Sequence, residues 1–471
     1  MATFARISLW VVVAAAAFHA AYASVHGSLL IVLYLFALLQ LAQAGRWRLA
    51  FYPGLAVGLL IAVARLGFFW VLFSGAAIAL WFVYAFWIGL FVALARLCLT
   101  RFGRARGFLL VPFVWAGLEY FRSELYYLRF SWLSIGYAFA EAPWQAALRF
   151  TGVYGAGLLL AGVAAAAVFC WQKSKVRAAV VLVLGAGAFA LGGDLVGSHT
   201  STPGPGVRVA GVQMEFPLEA EVVLRLNDLI REHPDTELAV LSEYTFTGPV
   251  PDPVREWCRE HSRYLVVGGK APATGTNFYN TAFVIGPDGD IVFRQVKAVP
   301  IQFMNDGLAA PEQKVWDSPW GKIGICICYD LSYTRVNDRL VRQGAQALIV
   351  PTMDVADWGQ AQHELHARIA PVRATEHRLP IFRLASSGIS QLTDHAGRVL
   401  ASAPCPGDGV TLAGTLELRG TGRLPADRWL APFSVAVTAV LMVMFFLHRP
   451  RASHAPSEPP KTHDNPPPLA A

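Results

Sequence analysis

The run "GKIGICICYDLSY", Gly321 to Tyr333, places two cysteines two residues apart in a strand-like apolar stretch, directly before an acid. Upstream, "ELAVLSE" ends on Glu243, and Lys297 in "FRQVKAVP" follows a hairpin pattern at 281–294. Together these residue types define one chemistry. A deprotonated cysteine is a strong nucleophile. A glutamate nearby takes its proton as general base. A lysine ammonium stabilises both the thiolate and the anionic oxygen of a tetrahedral intermediate. Such a trio suits acyl transfer through a thioester. Each member also has an ordinary reading. A glutamate at a strand end is often only solvated, Lys270, Lys314 and Lys322 compete with Lys297, and a lone cysteine is commonly a small buried filler. In a strand, Cys326 and Cys328 would share a face. Spacing alone does not choose between them, although the strand-end position before Tyr329 and Asp330 favours Cys328.

The elements that must hold these residues are short apolar runs separated by turn signals. Strands are expected at 207–213, 237–243, 264–269, 280–289, 322–330, 347–352, 381–388 and 389–402, with hairpins at 281–294 ("PDG") and 389–402 ("HAG"). Helices are expected near 218–233, 333–343 and 360–378. Strands alternating with helices predict an α/β domain. In such sheets, sites gather at strand ends, where loops converge on a substrate.

The rest of the chain is of another kind. The 471 residues are 55% hydrophobic and only 15% charged, and the mean hydropathy is +0.44. A soluble domain is about a quarter charged, so much of this chain belongs in lipid. Apolar spans of about 20 residues cross a bilayer. The expected spans are 5–24, 28–44, 50–72, 76–98, 107–122, 146–170 and 178–196, with one more at 432–448. The first is expected to be a retained helix rather than a cleaved signal, because further spans follow it directly. This gives a membrane domain at 1–196, an α/β domain at 197–431, a last span at 432–448 and a disordered, proline-rich tail at 449–471.

Arginines and lysines set the topology. Arg6 precedes the first span. Arg46 and Arg48 follow the second, Arg101, Arg104 and Arg106 the fourth, Lys173, Lys175 and Arg177 the sixth, and Arg449 and Arg451 the eighth. Every second connection is basic and is therefore cytoplasmic. The α/β domain and the aromatic connection at 122–145 then lie outside. That connection is either an interfacial aromatic belt or a platform that admits a lipid.

Several functions are set aside on pattern. The net charge of +7 comes from clusters between apolar runs, not from a basic face of the kind that binds nucleic acid. The six cysteines, Cys98, Cys170, Cys258, Cys326, Cys328 and Cys405, form no zinc or disulfide framework. "HELH" at 363–366 lacks the four-residue histidine spacing of a helical zinc site. Neither a metal nor a cofactor is expected.

With these residues in hand, the chain resembles the apolipoprotein N-acyltransferase family, a membrane-embedded branch of the carbon–nitrogen hydrolase (nitrilase-like) superfamily. The matching stretches are "FSWLSIGY", "TGVYGAGLLL", "YNTAFVIGPDG", "ICYD" and "RATEHRLPIFRLASSGISQLTDHAGRV", the last keeping Arg373, Glu376, Pro380 and Arg383 in register. The resemblance implies a nitrilase-like α-β-β-α sandwich and a catalytic Glu243, Lys297 and Cys328 in that chain order. It implies that Cys328 takes an acyl chain from a phospholipid, such as a phosphatidylethanolamine, as a thioester. The free amine of a diacylglyceryl-cysteine lipoprotein then collects it as an amide. Glu243 would move the protons, and Lys297 would support the oxyanion. Tyr329, Asp330 and Trp358 are the expected substrate contacts. The expected location is the bacterial inner membrane, multi-pass, with the catalytic domain on the periplasmic side.

The sequence also departs from that family. Asp330 stands where Glu is usual after Cys-Tyr. "KAVPIQFMNDG" lacks the supporting glutamate that follows the family's lysine, leaving Asn305 or Asp306 as substitutes. The stretch from Lys297 to Cys328 is short for a long lid. "TMDVADWG" (352–359) and "ASSG" (385–388) replace more usual loops. These changes keep two other readings open: a membrane-tethered nitrilase-type amidohydrolase using water, and a diverged N-acyltransferase with another amine acceptor. A non-enzymatic lipid-binding relative is disfavoured by the joint presence of Glu243, Lys297 and Cys328.

Overall fold

The computed structural model describes residues 2–43, 45–141, 144–195 and 206–447. The membrane half is built from α1 (Ala2–Ala23), α2 (Ile31–Leu41), α3 (Trp47–Arg65), the short α4 (Phe69–Phe73), α5 (Ala76–Arg101), α6 (Arg104–Tyr120), α7 (Leu148–Trp171) and α8 (Lys175–Leu195). After the α/β domain, the last helix runs from Asp427 to Leu447. Among the described residues, six helices are long and apolar enough to cross a membrane; α2 and α6 are shorter. The expected 50–72 span divides at Arg65 into α3 and α4, and the last span begins at Asp427 rather than at 432. The expected disordered tail and the 196/197 boundary lie outside the described residues.

The α/β domain runs in order through β1 (Gly206–Val212), α9 (Glu219–Glu232), β2 (Leu238–Val240), α10 (Asp252–His261), β3 (Tyr264–Pro272), β4 (Phe278–Ile285) and β5 (Ile291–Val296). It continues through β6 (Val315–Ser318), β7 (Gly321–Ile325), α11 (Thr334–Arg342), β8 (Ala347–Thr352), α12 (Gln360–Ala367), α13 (Ile369–His377), β9 (Ile381–Ala385), β10 (Ser390–Thr393), β11 (Val399–Ala403) and β12 (Thr411–Glu417). The last helix is α14. Two six-stranded sheets form, in the orders β12-β1-β2-β3-β4-β5 and β11-β10-β9-β8-β7-β6.

Strand alternation assigns each side chain to a layer. Val207 and Val209 enter the core between the sheets with Ile323, Ile325 and Ile349. Their neighbours Ala210 and Val212 pack outward under α9 and α10. On the second sheet, Leu348 and Val350 face α11, α13 and the membrane helices. The result is a four-layer α-β-β-α sandwich, as expected, with one helical layer pressed between a sheet and the membrane half.

Buried polar bonds fix that junction. Glu376 accepts the Val153 N–H at 2.7 Å, Glu124 accepts from Thr334 N–H at 3.1 Å and from the Tyr154 hydroxyl at 2.9 Å, and Arg428 donates to Asp338 at 2.9 Å. Gly152 turns the chain at the start of α7 with φ +69°, against the Asp427 carboxyl. A Cβ there would lie 2.2 Å from that carboxyl. Gly152→Ala is expected to destabilise the protein by more than about 1 kcal/mol, since the positive φ and the collision add. A lowered thermal midpoint in detergent checks this; an unchanged midpoint contradicts it.

Candidate active site

The three sequence-picked residues meet at one end of the sandwich. Glu243 follows β2, Lys297 follows β5, and Cys328 opens a 3-10 turn, Cys328–Ser332, just past β7. β1–β2–β3 and β7–β8–β9 are parallel runs, so the loops beyond β2, β7 and β8 leave at a common end. Gly268 on β3 lets the Glu243 backbone approach: a Cβ at 268 would sit 2.6 Å from Glu243 Cα.

The two cysteines do not share a face. β7 ends at Ile325, and Cys328 has φ +51°, a conformation rare for a residue with a Cβ. Continued strand geometry would have left Cys328 beside Cys326 under α11. Instead Cys326 packs with the helical layer, its thiol 3.9 Å from Asn337 Oδ1. Cys328 turns into the end of the sandwich, its Sγ 3.7 Å from the Met353 carbonyl. Backbone strain of this kind gathers at functional sites.

Lys297 is fully buried (0% exposed) and pairs with two carboxylates. Its Nζ lies 2.8 Å from Glu243 Oε1 and 2.7 Å from Asp306 Oδ2. Asn280 Nδ2 donates to the same two groups, at 2.6 Å to Glu243 and 2.8 Å to Asp306. The Tyr244 hydroxyl and the Ile301 N–H also donate to Asp306, at 2.8 and 2.7 Å. The other Glu243 oxygen accepts the Met353 N–H at 2.9 Å. Asp306 thus takes the supporting position that the sequence left between it and Asn305. Asn280, inside the quoted "YNTAFVIGPDG", carried no signal of its role, because its partners lie 26 and 37 residues away.

Electrostatics follow from burial. Burial raises the Glu243 carboxyl, Lys297 opposes this, and Asp306 adds to it. Desolvation works against the Lys297 ammonium, but Glu243 and Asp306 outweigh it and hold the lysine charged. Burial, then Glu243, pushes the Cys328 thiol well above its usual value, with Lys297 opposing. The resting site therefore holds a thiol beside a carboxylate and a fixed cation. If Glu243 is the general base, the thiol ionises when its proton passes to that carboxylate. As pH falls through the raised Glu243 ionisation, that carboxyl takes a proton and the base is lost. Single-turnover acylation rates are therefore expected to fall on the acid side. Asp306→Asn removes the charge that helps raise Glu243, so the acid limb should move to lower pH. A limb that stays put, or a rate that climbs toward acid, contradicts this assignment.

The remaining sequence-picked residues divide. Tyr329 and Trp358 line a cleft together with Cys328. Asp330 does not line it. Its carboxylate is fully buried and accepts the N–H groups of Val299 at 2.7 Å, Ala298 at 3.0 Å and Ile327 at 3.2 Å. It ties the cysteine turn to the lysine loop, and its shorter side chain reaches three backbone donors rather than substrate. Burial lifts it to about 6. Arg373, from the long motif, supports the same turn by donating to the Leu331 carbonyl at 3.1 Å and the Ser332 carbonyl at 2.6 Å. Among the described residues no cluster of metal-ligating side chains forms.

The cleft holds about 1030 Å³ to its open mouth. Phe69, Phe73, Leu80 and Trp87, from α4 and α5, form one wall; Ile301, Phe303 and Met304, from the α/β domain, form the other. The 122–145 connection supplies Phe130 and Trp132, and Trp132 Nε1 donates to Ser332 Oγ at 2.9 Å. A second space, of about 710 Å³, contains Glu243, Lys297 and Lys270, and Trp358, Ile301 and Met304 line both spaces. Two further cleft residues escaped the sequence reading. Asp354 accepts from His366 Nδ1 at 2.7 Å and Gln362 Nε2 at 2.9 Å, and the His366 ring stacks on Trp132 at 4.6 Å.

The carbon–nitrogen hydrolase family model matches residues 209–423, the stretch that brings Glu243, Lys297 and Cys328 together. The model of the apolipoprotein N-acyltransferase N-terminal domain matches residues 13–166. The chain is 25% identical over 428 residues to an apolipoprotein N-acyltransferase of Shewanella oneidensis, covering 79% of this chain and 80% of that one. It is 26% identical over 405 residues to the enzyme of the same name from Geobacter metallireducens, covering 74% and 76%. A shorter similarity, 27% over 176 residues, links it to an omega-amidase of Mus musculus, covering 33% and 63%. The models of the two parts match in that order along the chain, and its similarity to apolipoprotein N-acyltransferases runs through both.

Proposed function

We infer that this membrane enzyme moves a fatty acyl chain from a phospholipid, through a thioester on Cys328, to the N-terminal amine of a diacylglyceryl-cysteine lipoprotein. One observation carries the reading: Cys328 lines an apolar cleft together with Phe69, Phe73, Leu80 and Trp87 of the membrane helices. A water-soluble amide has no use for such a cleft, whereas an acyl chain buried along it loses apolar surface to water at every methylene.

In the proposed cycle, Glu243 takes the Cys328 proton as the sulfur attacks the ester carbonyl. The tetrahedral oxyanion forms beside the Lys297 ammonium. Collapse breaks the ester bond, and Glu243 returns the proton to the departing lysophospholipid. The lipoprotein amine then attacks the thioester, an amide forms, and the sulfur leaves and recovers its proton. Asp306 and Asn280 keep Glu243 and Lys297 in place. Tyr329 and Trp358 border the chain's path.

We place residues 197–431 outside the cytoplasmic membrane as the catalytic domain, between a membrane domain at 1–196 and a last span ending near 448. The alternating basic connections support this orientation. Both lipid substrates would then meet the enzyme in the outer leaflet.

The test is to incubate the purified full chain with phosphatidylethanolamine carrying a labelled acyl chain and no acceptor. Label should accumulate on the peptide containing Cys328 and be released by hydroxylamine. Label on another residue, or none, overturns the reading.

A further inference from the structure

At the opposite end of the membrane helices from Cys328, the N-terminus of α1, the C-terminal ends of α2, α5 and α7, and the N-terminus of α6 surround a cavity of about 1560 Å³ to its mouth. Arg6, Arg96 and Arg104 line it, with Gln40, Gln43 and Gln172. Nothing in the proposed reaction uses this cavity.

Its chemistry is one-sided. The first acidic residue of the chain is Glu119, so α1, α2 and α5 bring no carboxylate, and the one in α6 lies at its C-terminal end, away from Arg104. Among the described residues, no carboxylate pairs with Arg6, Arg96 or Arg104. Two contacts run to one glutamine instead: Arg96 Nη1 donates to the Gln43 carbonyl at 3.3 Å, and Arg104 Nη2 to Gln43 Oε1 at 3.2 Å. Gln40 is 2% exposed, and its Nε2 has no acceptor. The buried Arg96 Nε has none either. Buried donors without acceptors are costly, and here they line a space that carries three positive charges. An anion with several oxygen acceptors satisfies both at once.

The deeper wall is apolar. Ile7, Trp10, Leu41 and Trp171 line the same cavity, and Trp10 packs edge-on against Trp171 at 6.1 Å. A phosphate alone would leave that wall empty, but a phosphate attached to acyl chains would fill it. Basic pockets between membrane helices on the cytoplasmic side recognise anionic lipid headgroups.

We propose that this cavity, bounded by Arg6, Arg96, Arg104 and Gln40, binds an anionic phospholipid of the cytoplasmic leaflet, distinct from the lipid consumed at Cys328. The phosphodiester accepts from the arginines and Gln40, and the chains lie along Trp10 and Trp171.

The test uses the full chain, stripped of lipid in detergent and placed in nanodiscs of phosphatidylethanolamine with or without phosphatidylglycerol. Retained lipid is counted by native mass spectrometry. One phosphatidylglycerol per protein is expected to persist, in preference to phosphatidylethanolamine and more weakly at high salt. Arg96→Gln with Arg104→Gln should weaken retention about 30-fold, two arginines at the usual strength of a basic residue beside an anionic lipid. Arg46→Gln with Arg48→Gln, on the same side but off the cavity, should leave it unchanged, as should Cys328→Ala. A matched thermal midpoint shows that the first pair still folds; if it does not, Gln40→Leu is read instead and should reduce retention. Equal retention of the two lipids, or equal loss in both arginine pairs, overturns the proposal. Displacement by millimolar inorganic phosphate without loss of affinity for it in lipid-free detergent would assign the site to free phosphate and overturn the lipid.

Discussion

Cys328→Ala is expected to abolish turnover, with acyl transfer falling by at least about 10⁴-fold, the scale seen when the nucleophile of a concerted catalytic set is removed. The loss should appear at the first half-reaction, so no acyl-enzyme forms from phospholipid. The fold should survive. Cys328 is small, its thiol makes one weak contact at 3.7 Å to the Met353 carbonyl, and the turn is held by Asp330 and Arg373 rather than by the sulfur. Cys326→Ala is the matched control. It lies in the helical layer and should keep activity while losing some stability. If Cys326→Ala lost acylation and Cys328→Ala kept it, the assignment of the nucleophile would be reversed.

Lys297→Met is expected to damage both chemistry and fold. The lysine is the cation shared by two buried carboxylates. Removing it strands Glu243 and Asp306 side by side, 2% and 5% exposed at their side chains. Breaking a buried pair this way costs about 3–5 kcal/mol, which should lower the thermal midpoint in detergent. The variant loses oxyanion support as well, worth about 10²–10³-fold in rate. At high pH it should suffer most, because both carboxyls must then ionise without a cation. Adding Asp306→Asn to Lys297→Met should restore part of the stability and none of the activity. Equal stability of the single and double variants would show that the pair is not the strained element.

Much of this site was legible because its chemistry sits where strands end. Glu243, Lys297 and Cys328 each close an apolar run, and the two hairpins at 281–294 and 389–402 are present as β4–β5 and β10–β11. What local pattern cannot carry is the partner across the fold. β12 was not expected, and it pairs with β1 across two hundred residues. α10 and β6 were also missed; α10 is polar along much of its length, and β6 has only four residues. The two cysteines illustrate a second limit. Alternation placed them on one face, and a single positive φ at Cys328 separates them. Asp330 shows a third. Adjacent to Cys328, it read as a substrate contact, yet its carboxylate points back to the backbone donors of the lysine loop.

The long motif from Arg373 to Val399 was recognisable without its reasons being readable. Arg373 holds the cysteine turn, Glu376 holds α7, and Arg383 pairs with Asp354 beneath the cleft. Each of these jobs spans two elements, so the spacing records a constraint whose partners only the fold identifies.

The measurement that bears most directly on the account is a chase. Protein acylated on Cys328 from labelled phosphatidylethanolamine is separated from free lipid and then mixed with a synthetic diacylglyceryl-cysteine peptide. Label is expected to leave the protein and appear on the peptide as an N-terminal amide stable to hydroxylamine, at a rate that rises with peptide concentration. Release of the label as free fatty acid at the same rate with or without peptide would contradict it and leave a hydrolase in its place.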